Sequence, residues 1–380
     1  MFSPLRSAFR SFQRACSIKP LACLSAALLL AGCTTAPVSN APGEETLPSV
    51  PSAAPAESTA AAPQPARAST YNAAQLAALR QIVQQQQRLD SVAAPLLISN
   101  AMLCRSYARN LIGFSAKNAY SYSDDYVAAA QALGFGDRLQ VTGVLQGSGA
   151  EQAGVMVGDV LVAVEGQQLP QGRNAERDAA ALLGPIVTRH ASVTLDVIRN
   201  DQAVTLNVPL TLACGYSVEL GNTDNVIAYS DGRRVLVSRG MLNFVHSDTE
   251  LAYVLAKEIA QNALRYPIRL HMTATVGGII DNLIRVTPDT TALSGTGGVM
   301  PMPKDLDIAS DTVALYMLAR AGYDVQGAHA FWARLADAYP ASVPNGYTAI
   351  HPSTDARLDN IDRIVRDIQT KLAKRQPLFP

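Results

Sequence analysis

Histidine is scarce in this chain, five in 380 residues. His190, His246, His271 and His329 stand far apart with no ligand spacing between them, so none announces a metal centre. An excess of one charge is missing as well. Lysine and arginine number 31 against 31 aspartates and glutamates, which removes the electrostatic footprint of a nucleic-acid binder. The chain contains neither a Gly-x-Ser-x-Gly elbow nor a Ser-x-x-Lys motif, so serine nucleophile chemistry lacks its usual marks. Long apolar runs are also few. The run at 21–30 is too short to cross a bilayer as a stable helix.

That short run has a different use. Arg6, Arg10, Arg14 and Lys19 precede it, and Leu30-Ala31-Gly32-Cys33 follows it. This is the layout of a cleaved export signal ending in a lipobox. Residues 1–33 are therefore expected to be a lipoprotein signal, with Cys33 lipidated and tethering the chain to a membrane. Thr34, rather than Asp, follows Cys33. That resembles outer-membrane sorting, with the soluble part facing the periplasm. Residues 34–69 are rich in Ala, Pro, Ser and Thr and nearly lack large apolar side chains; they read as a disordered linker. Cys16 and Cys23 would leave with the signal and Cys33 would carry lipid. Cys104 and Cys214 remain, and an oxidising compartment favours a disulfide between them.

Residues 70–125 begin with a helical pattern in which Leu76, Leu79, Ile82 and Val83 mark one face and Gln84 to Gln87 a solvated one. From about 126 the pattern turns to strands. Leu133-Gly134-Phe135-Gly136 precedes the alternating Leu139-Gln-Val141-Thr-Gly-Val144, then Gly147-Ser148-Gly149-Ala150, Ala153-Gly154 and Gly158-Asp159-Val160. Two further strands flank Asn200-Asp201. This succession resembles a PDZ domain, placed at 126–212. The resemblance implies that Leu133, Gly134, Phe135 and Gly136 form the loop whose backbone N–H groups hold a peptide carboxylate, with a ligand strand added to an open sheet edge.

Past Cys214 the chain changes again. Tyr229-Ser230-Asp231-Gly232-Arg233-Arg234-Val235 reads as a hairpin with a tight turn. A helix follows, with Ser247 as N-cap and Glu250 at capping-box distance. Leu251, Val254, Leu255 and Ile259 give it one apolar face, and positions 257 and 261 lie one turn apart. Later come Asp307, Asp311, Ala321-Gly322-Tyr323-Asp324, Phe331-Trp332-x-Arg334 and His351-Pro352-Ser353-Thr354-x-x-Arg357. This order resembles the HtpX-type and CAAX-prenyl-protease-type zinc metallopeptidases over about 222–380. The 71–104 helix would complete a body into which the PDZ domain is inserted. The fold implied is α+β: a mainly helical zincin-like body at 70–125 and 213–380 with a small hairpin sheet, plus the β-rich module. Residues 276–303, with many Gly, Thr and Pro, read as a lid, a membrane-facing loop or an irregular connection.

Against the resemblance, the site is degenerate. The helix that should carry His-Glu-x-x-His carries Lys257-Glu258-x-x-Gln261, and the family's ligand Glu falls on Asp307. A protonated lysine has no lone pair to give, and a carboxamide is a poor zinc ligand. Glu258 matches the general base but has no acidified water to work on without the metal. His351 and Asp311 lie near the family's metal, yet one His and one Asp cannot make a tight site. The expectation is therefore a periplasm-facing pseudopeptidase with no metal cofactor, binding proteins or peptides through its PDZ domain and a membrane through Cys33. The alternative is an active zinc metalloendopeptidase, in periplasmic protein quality control, with a non-standard site. Lys257 is expected to pair with Asp307 or Glu258, since carboxylates left by a lost cation need a positive partner.

Overall fold

Asn72 starts the first helix with a capping box. Its side chain accepts from Gln75 N at 2.8 Å, and Gln75 Oε1 accepts from Asn72 N at 2.9 Å. The computed structural model describes residues 71–266, 301–343 and 346–380, which fall in one compact unit. Cys33 and its signal, the linker at 34–69 and most of 276–303 lie outside the described residues.

Helix α1 (Ala73–Ser99) buries Leu79, Leu89, Val92, Ala93, Leu96 and Leu97. The sequence pattern runs to Cys104, but buried Asn100 breaks it there: its Nδ2 donates to Leu96 O at 2.9 Å and to Met317 O at 3.0 Å. A short helix, α2 (Ala101–Cys104), continues from it. Cys104 is joined by a disulfide to Cys214 on strand β8 (Thr211–Cys214), which pairs antiparallel with β1 (Ala108–Leu111).

Between these two strands lies the inserted module. Strands β2 (Phe114–Lys117), β3 (Gln140–Val144), β4 (Val160–Val164), β6 (Ser192–Arg199) and β7 (Gln202–Pro209) form an antiparallel sheet in the order β2-β3-β4-β6-β7, with β5 (Gln167–Gln168) on β4. Helices α3 (Val127–Ala132), α4 (Gly149–Gln152) and α5 (Ala175–Arg189) accompany it. Val193, Leu195 and Val197 point inward at a two-residue period. Asn200 and Asp201 both take positive φ, 49° and 61°, as a two-residue hairpin turn requires. Glycine is obligatory at 149, where a Cβ would stand 1.7 Å from the carbonyl oxygen of Pro209. The sheet corrects one boundary. β2 precedes residue 126, so the module reaches back to the strand after Gly113, and β1 with β8 closes its neck.

The body resumes with β9 (Ser217–Gly221), β10 (Ala228–Ser230) and β11 (Arg234–Ser238). β10 and β11 form the expected hairpin, and β9 joins β11 in parallel. Ser238 caps α6 (Arg239–Phe244), and Ser247 caps α7 (Asp248–Ala263), accepting from Glu250 N at 3.2 Å. Glu250 itself reaches one residue further back than a capping box, to His246 N at 2.7 Å. Helices α8 (Lys304–Arg320), α9 (Ala328–Ala338), α10 (Tyr347–Ile350) and α11 (Thr354–Ala373) complete the body. Every residue from Leu251 to Asn262 on α7 is buried. A helix buried all round is the centre of its domain, with other elements packed about it. No helix among the described residues is long and apolar enough to cross a membrane.

The disulfide spans 110 residues of sequence and closes the whole insertion onto the body. Restricting so long a loop in the unfolded chain stabilises by about 5 kcal/mol in the chain-entropy account. Replacing Cys104 and Cys214 together by serine is expected to lower stability by about that amount. The lowered urea midpoint of the double variant checks this, as does the absence of free thiol at these positions in unfolded, non-reduced protein.

Candidate functional site

Helix α7 delivers Lys257, Glu258 and Gln261 to the middle of the body. Helix α8 faces it with Asp307 and Asp311, four residues apart and so on one side. The Lys257 ammonium, wholly buried, donates to Asp307 Oδ1, to the Asp307 carbonyl oxygen at 2.8 Å and to Asp311 Oδ1 at 2.7 Å. Arg357, near the start of α11, brings a second cation. Its Nε donates to Asp311 Oδ2 at 2.7 Å, its Nη2 to Asp311 Oδ1 at 3.1 Å, and it stands 3.7 Å from Asp307 Oδ2. His351, at the end of α10, places Nδ1 2.8 Å from Asp307 Oδ1. The expected partner of Lys257 is thus Asp307, with Asp311 added, and Glu258 takes no part.

Glu258 turns away from the lysine. Its Oε1 accepts from the Tyr347 hydroxyl at 3.1 Å. Gln261 turns away too, its Oε1 accepting from Ser230 Oγ on β10 at 3.1 Å, while its Nε2 has no partner among the described residues. An aromatic column walls the cluster: Trp332 stacks on Tyr347 at 5.3 Å and Tyr347 on His351 at 4.4 Å, with the Arg357 guanidinium 4.8 Å from the Trp332 ring.

Electrostatics separates the two kinds of carboxyl. Burial would raise the Asp307 pKa, but His351, Lys257 and Arg357 outweigh it and hold the carboxyl far below the usual carboxylate range. Burial pushes Glu258 up, and His351, Ser230, Lys257 and Tyr347 offset only part of that rise. Burial would depress Arg357, yet Asp311 and Asp307 keep it above the usual guanidinium value.

These residues do not fit a zinc ion. Position 257 presents an ammonium whose three protons are already directed at oxygens. Gln261 is bound elsewhere, and Asp307 is engaged by Lys257 and His351. Arg357 is the member that reading the sequence left without a role. Its signal was a basic residue six positions after His351, but only the packing of α11 on α8 shows which acid it serves.

The turn at Leu133–Gly136 does not offer what the sequence suggested. Leu133 N donates to Ala129 O and Ala130 O, Gly134 N to Gln131 O and Phe135 N to Ala130 O. Those N–H groups close the C-terminus of α3 and are spent there. Phe135 is buried with Leu79, Ala129 and Ala130. The sheet ends in β2 on one side and β7 on the other; β2 is the edge beside α5. Leu145 N donates to Gly113 O, so alternation along the ladder turns Ser115 toward β3 and leaves Phe114 facing the other way. Helix α5 runs beside this edge: Lys117 pairs with Glu176 at 2.8 Å, and Asn110 Nδ2 meets Val187 O at 3.5 Å.

Comparison with known proteins links part of this chain to peptidases. Residues 192–365 match the model of peptidase family M48, just under half of the chain. The beta-barrel assembly-enhancing protease of Yersinia pestis is 26% identical over 158 residues, covering 37% of this chain and 32% of that protein. The chain therefore spans about a third of the length of that curated relative. Among solved structures, the HtrA3 PDZ domain bound to a phage-derived ligand is 17% identical, covers 28% of this chain and 88% of that one, and has a TM-score of 0.21. The HtrA-type protease AlgW with a decapeptide is 26% identical over 28% of this chain and 30% of that one, also at 0.21. The M48 match and the Yersinia relative support a relationship to zincin-type peptidases.

The raised Glu258 carboxyl has a consequence for pH. A carboxyl whose folded pKa lies above its unfolded value favours the fold at low pH, and that contribution is lost as pH rises through the folded value. Glu258→Gln keeps a hydrogen-bonding group for Tyr347 and removes the penalty of ionisation. The variant is expected to gain stability over the parent at pH 8 and to show little gain at pH 4. Urea midpoints at the two pH values check this.

Proposed function

We propose that this protein is a peptide-binding relative of the zinc metallopeptidases that does not cleave what it holds. It would be anchored to a membrane through Cys33, face the periplasm, and use its inserted PDZ-type module to capture protein termini or regulate partners. The observation that carries this reading is the buried Lys257 ammonium between Asp307 and Asp311. It stands where peptidase chemistry would need a lone pair and a metal-bound water. Glu258 does not compensate, because it is bound to Tyr347 and its proton is held more tightly than in a solvated carboxyl.

Peptide capture belongs to β2 rather than to the 133–136 turn. An extended ligand could add to the outer edge of β2, its main chain meeting the outward groups of Phe114 and, past the bulge between Ser115 and Ala116, those of Ala116. Phe114, Ala116, Leu182 and Leu183 are partly buried apolar residues on the module's core, with Leu182 and Leu183 on α5. They would form the floor for an apolar side chain. The turn at Ile112 and Gly113, with Phe114 at the start of β2, then takes the carboxylate role first given to Leu133 to Gly136. This supports a ligand that ends in an apolar residue with a free carboxylate.

Calorimetric titration with a ten-residue peptide ending in Val or Leu tests the capture. Binding is expected to weaken at least tenfold when the terminus is amidated and to be lost in Ala116→Pro, which removes an edge N–H. The other half of the reading is tested by casein hydrolysis with and without chelator and by the zinc content of the purified protein. Chelator-sensitive turnover that disappears in Glu258→Gln would replace this reading by that of a metalloendopeptidase with an unusual site.

A further inference from the structure

The buried cluster has a structural task, and its chemistry deepens the reading just given. We infer that the Lys257 ammonium does the mechanical work a divalent cation would do here, binding α7 to α8, and that the fold is thereby independent of metal. This rests on the reading that position 257 holds no metal, yet it makes a separate claim about what keeps the body together.

The geometry argues for it first. Every acceptor of Lys257 comes from α8: the Asp307 carboxylate, the Asp307 carbonyl oxygen and the Asp311 carboxylate. Three hydrogen bonds use all three ammonium protons, so the side chain is a saturated cross-link rather than a charge in transit to solvent. Burial argues next. Lys257, Asp307 and Asp311 are all at most 2% exposed. Carboxylates at that depth demand cations, and an isolated one strongly disfavours the fold. Two carboxylates meet two fixed cations, Lys257 and Arg357, so these four formal charges balance without an ion from solution.

The remaining substitutions agree. One ammonium can replace one central ion only if the other ligand position stops competing for that place. Gln261 has done so, its carboxamide oxygen being bound by Ser230 on β10. Aspartate at 307 is one methylene shorter than glutamate, which leaves room on α8 for the long lysine stem. Arg357 holds Asp311 by two nitrogens, so Asp311 keeps its orientation while Lys257 bridges it to Asp307.

Thermal unfolding tests this without reference to activity. Parent protein is expected to unfold at the same temperature with and without EDTA. Lys257→Met is expected to unfold about 10 °C lower or more, as removal of one member of a buried pair does in a body of this size. Lys257→Met combined with Asp307→Asn is expected to recover part of that loss, because the stranded charge is gone. If Lys257→Met does not fold, the double variant decides: recovered folding supports the inference and continued failure overturns it. Unchanged melting of Lys257→Met, or a parent that loses stability in EDTA, also overturns it. A parent that hydrolyses casein yet ignores EDTA in its melting would sink the functional reading and leave this one standing. Lys257→His with Gln261→His and Asp307→Glu should reverse the arrangement, giving a protein whose melting temperature rises with added zinc and falls on chelation.

Discussion

An ammonium buried between two carboxylates sets the terms for this molecule. Lys257 cannot be hydrated where it lies, nor can Asp307 or Asp311, so each is tolerable only because the others are in place. Around that requirement the helices are ordered. α7 passes through the centre, α8 supplies the acids, α11 supplies Arg357, and α10 ends on His351 against Asp307. Tyr347 and Trp332 fill the space beside them with ring faces, leaving the charges desolvated and mutually strong.

A second polar constraint joins the module to the body. Gln86 on α1 behaves like a short strand against the edge of β9, donating to Val218 O at 2.9 Å and accepting from Leu220 N at 2.9 Å. The same amide donates to Asp90, whose other oxygen accepts from Ser115 Oγ on β2. Burial lifts the Asp90 pKa, and Gln86, Ser115 and Lys117 offset part of the rise. One helix thus caps the free edge of the body's sheet while holding the inner face of the module's open strand. With the disulfide at the neck, this makes the insertion a fixed part of the structure rather than a tethered bead.

Between the two candidate peptide loops, backbone accounting separates what sequence pattern could not. Leu133-Gly134-Phe135-Gly136 has the composition of a carboxylate loop, and Gly134 takes the positive φ such a turn needs. A helix C-terminus asks for the same residues, since it too needs a glycine at positive φ and an apolar contact behind it. The two uses differ only in where the N–H groups point, and here they point back into α3.

By itself the sequence determined the elements whose cause is local. The cap at Ser247, the Asp231-Gly232 and Asn200-Asp201 turns, and the two strands flanking the latter each depend on a few adjacent residues. It also showed lysine at 257 where the resembled family carries histidine. Whether Lys257 would choose Asp307, Asp311 or Glu258 was beyond it: the candidates lie 50, 54 and 1 residues away in sequence, and only helix packing sets which oxygens come within reach. The same holds for Arg357 as second cation, for Gln261 turning to Ser230, and for the N–H groups of the 133–136 turn closing α3. Each is a long-range choice among polar groups of similar chemistry, and desolvation in the assembled core is what makes one choice far more favourable than the rest.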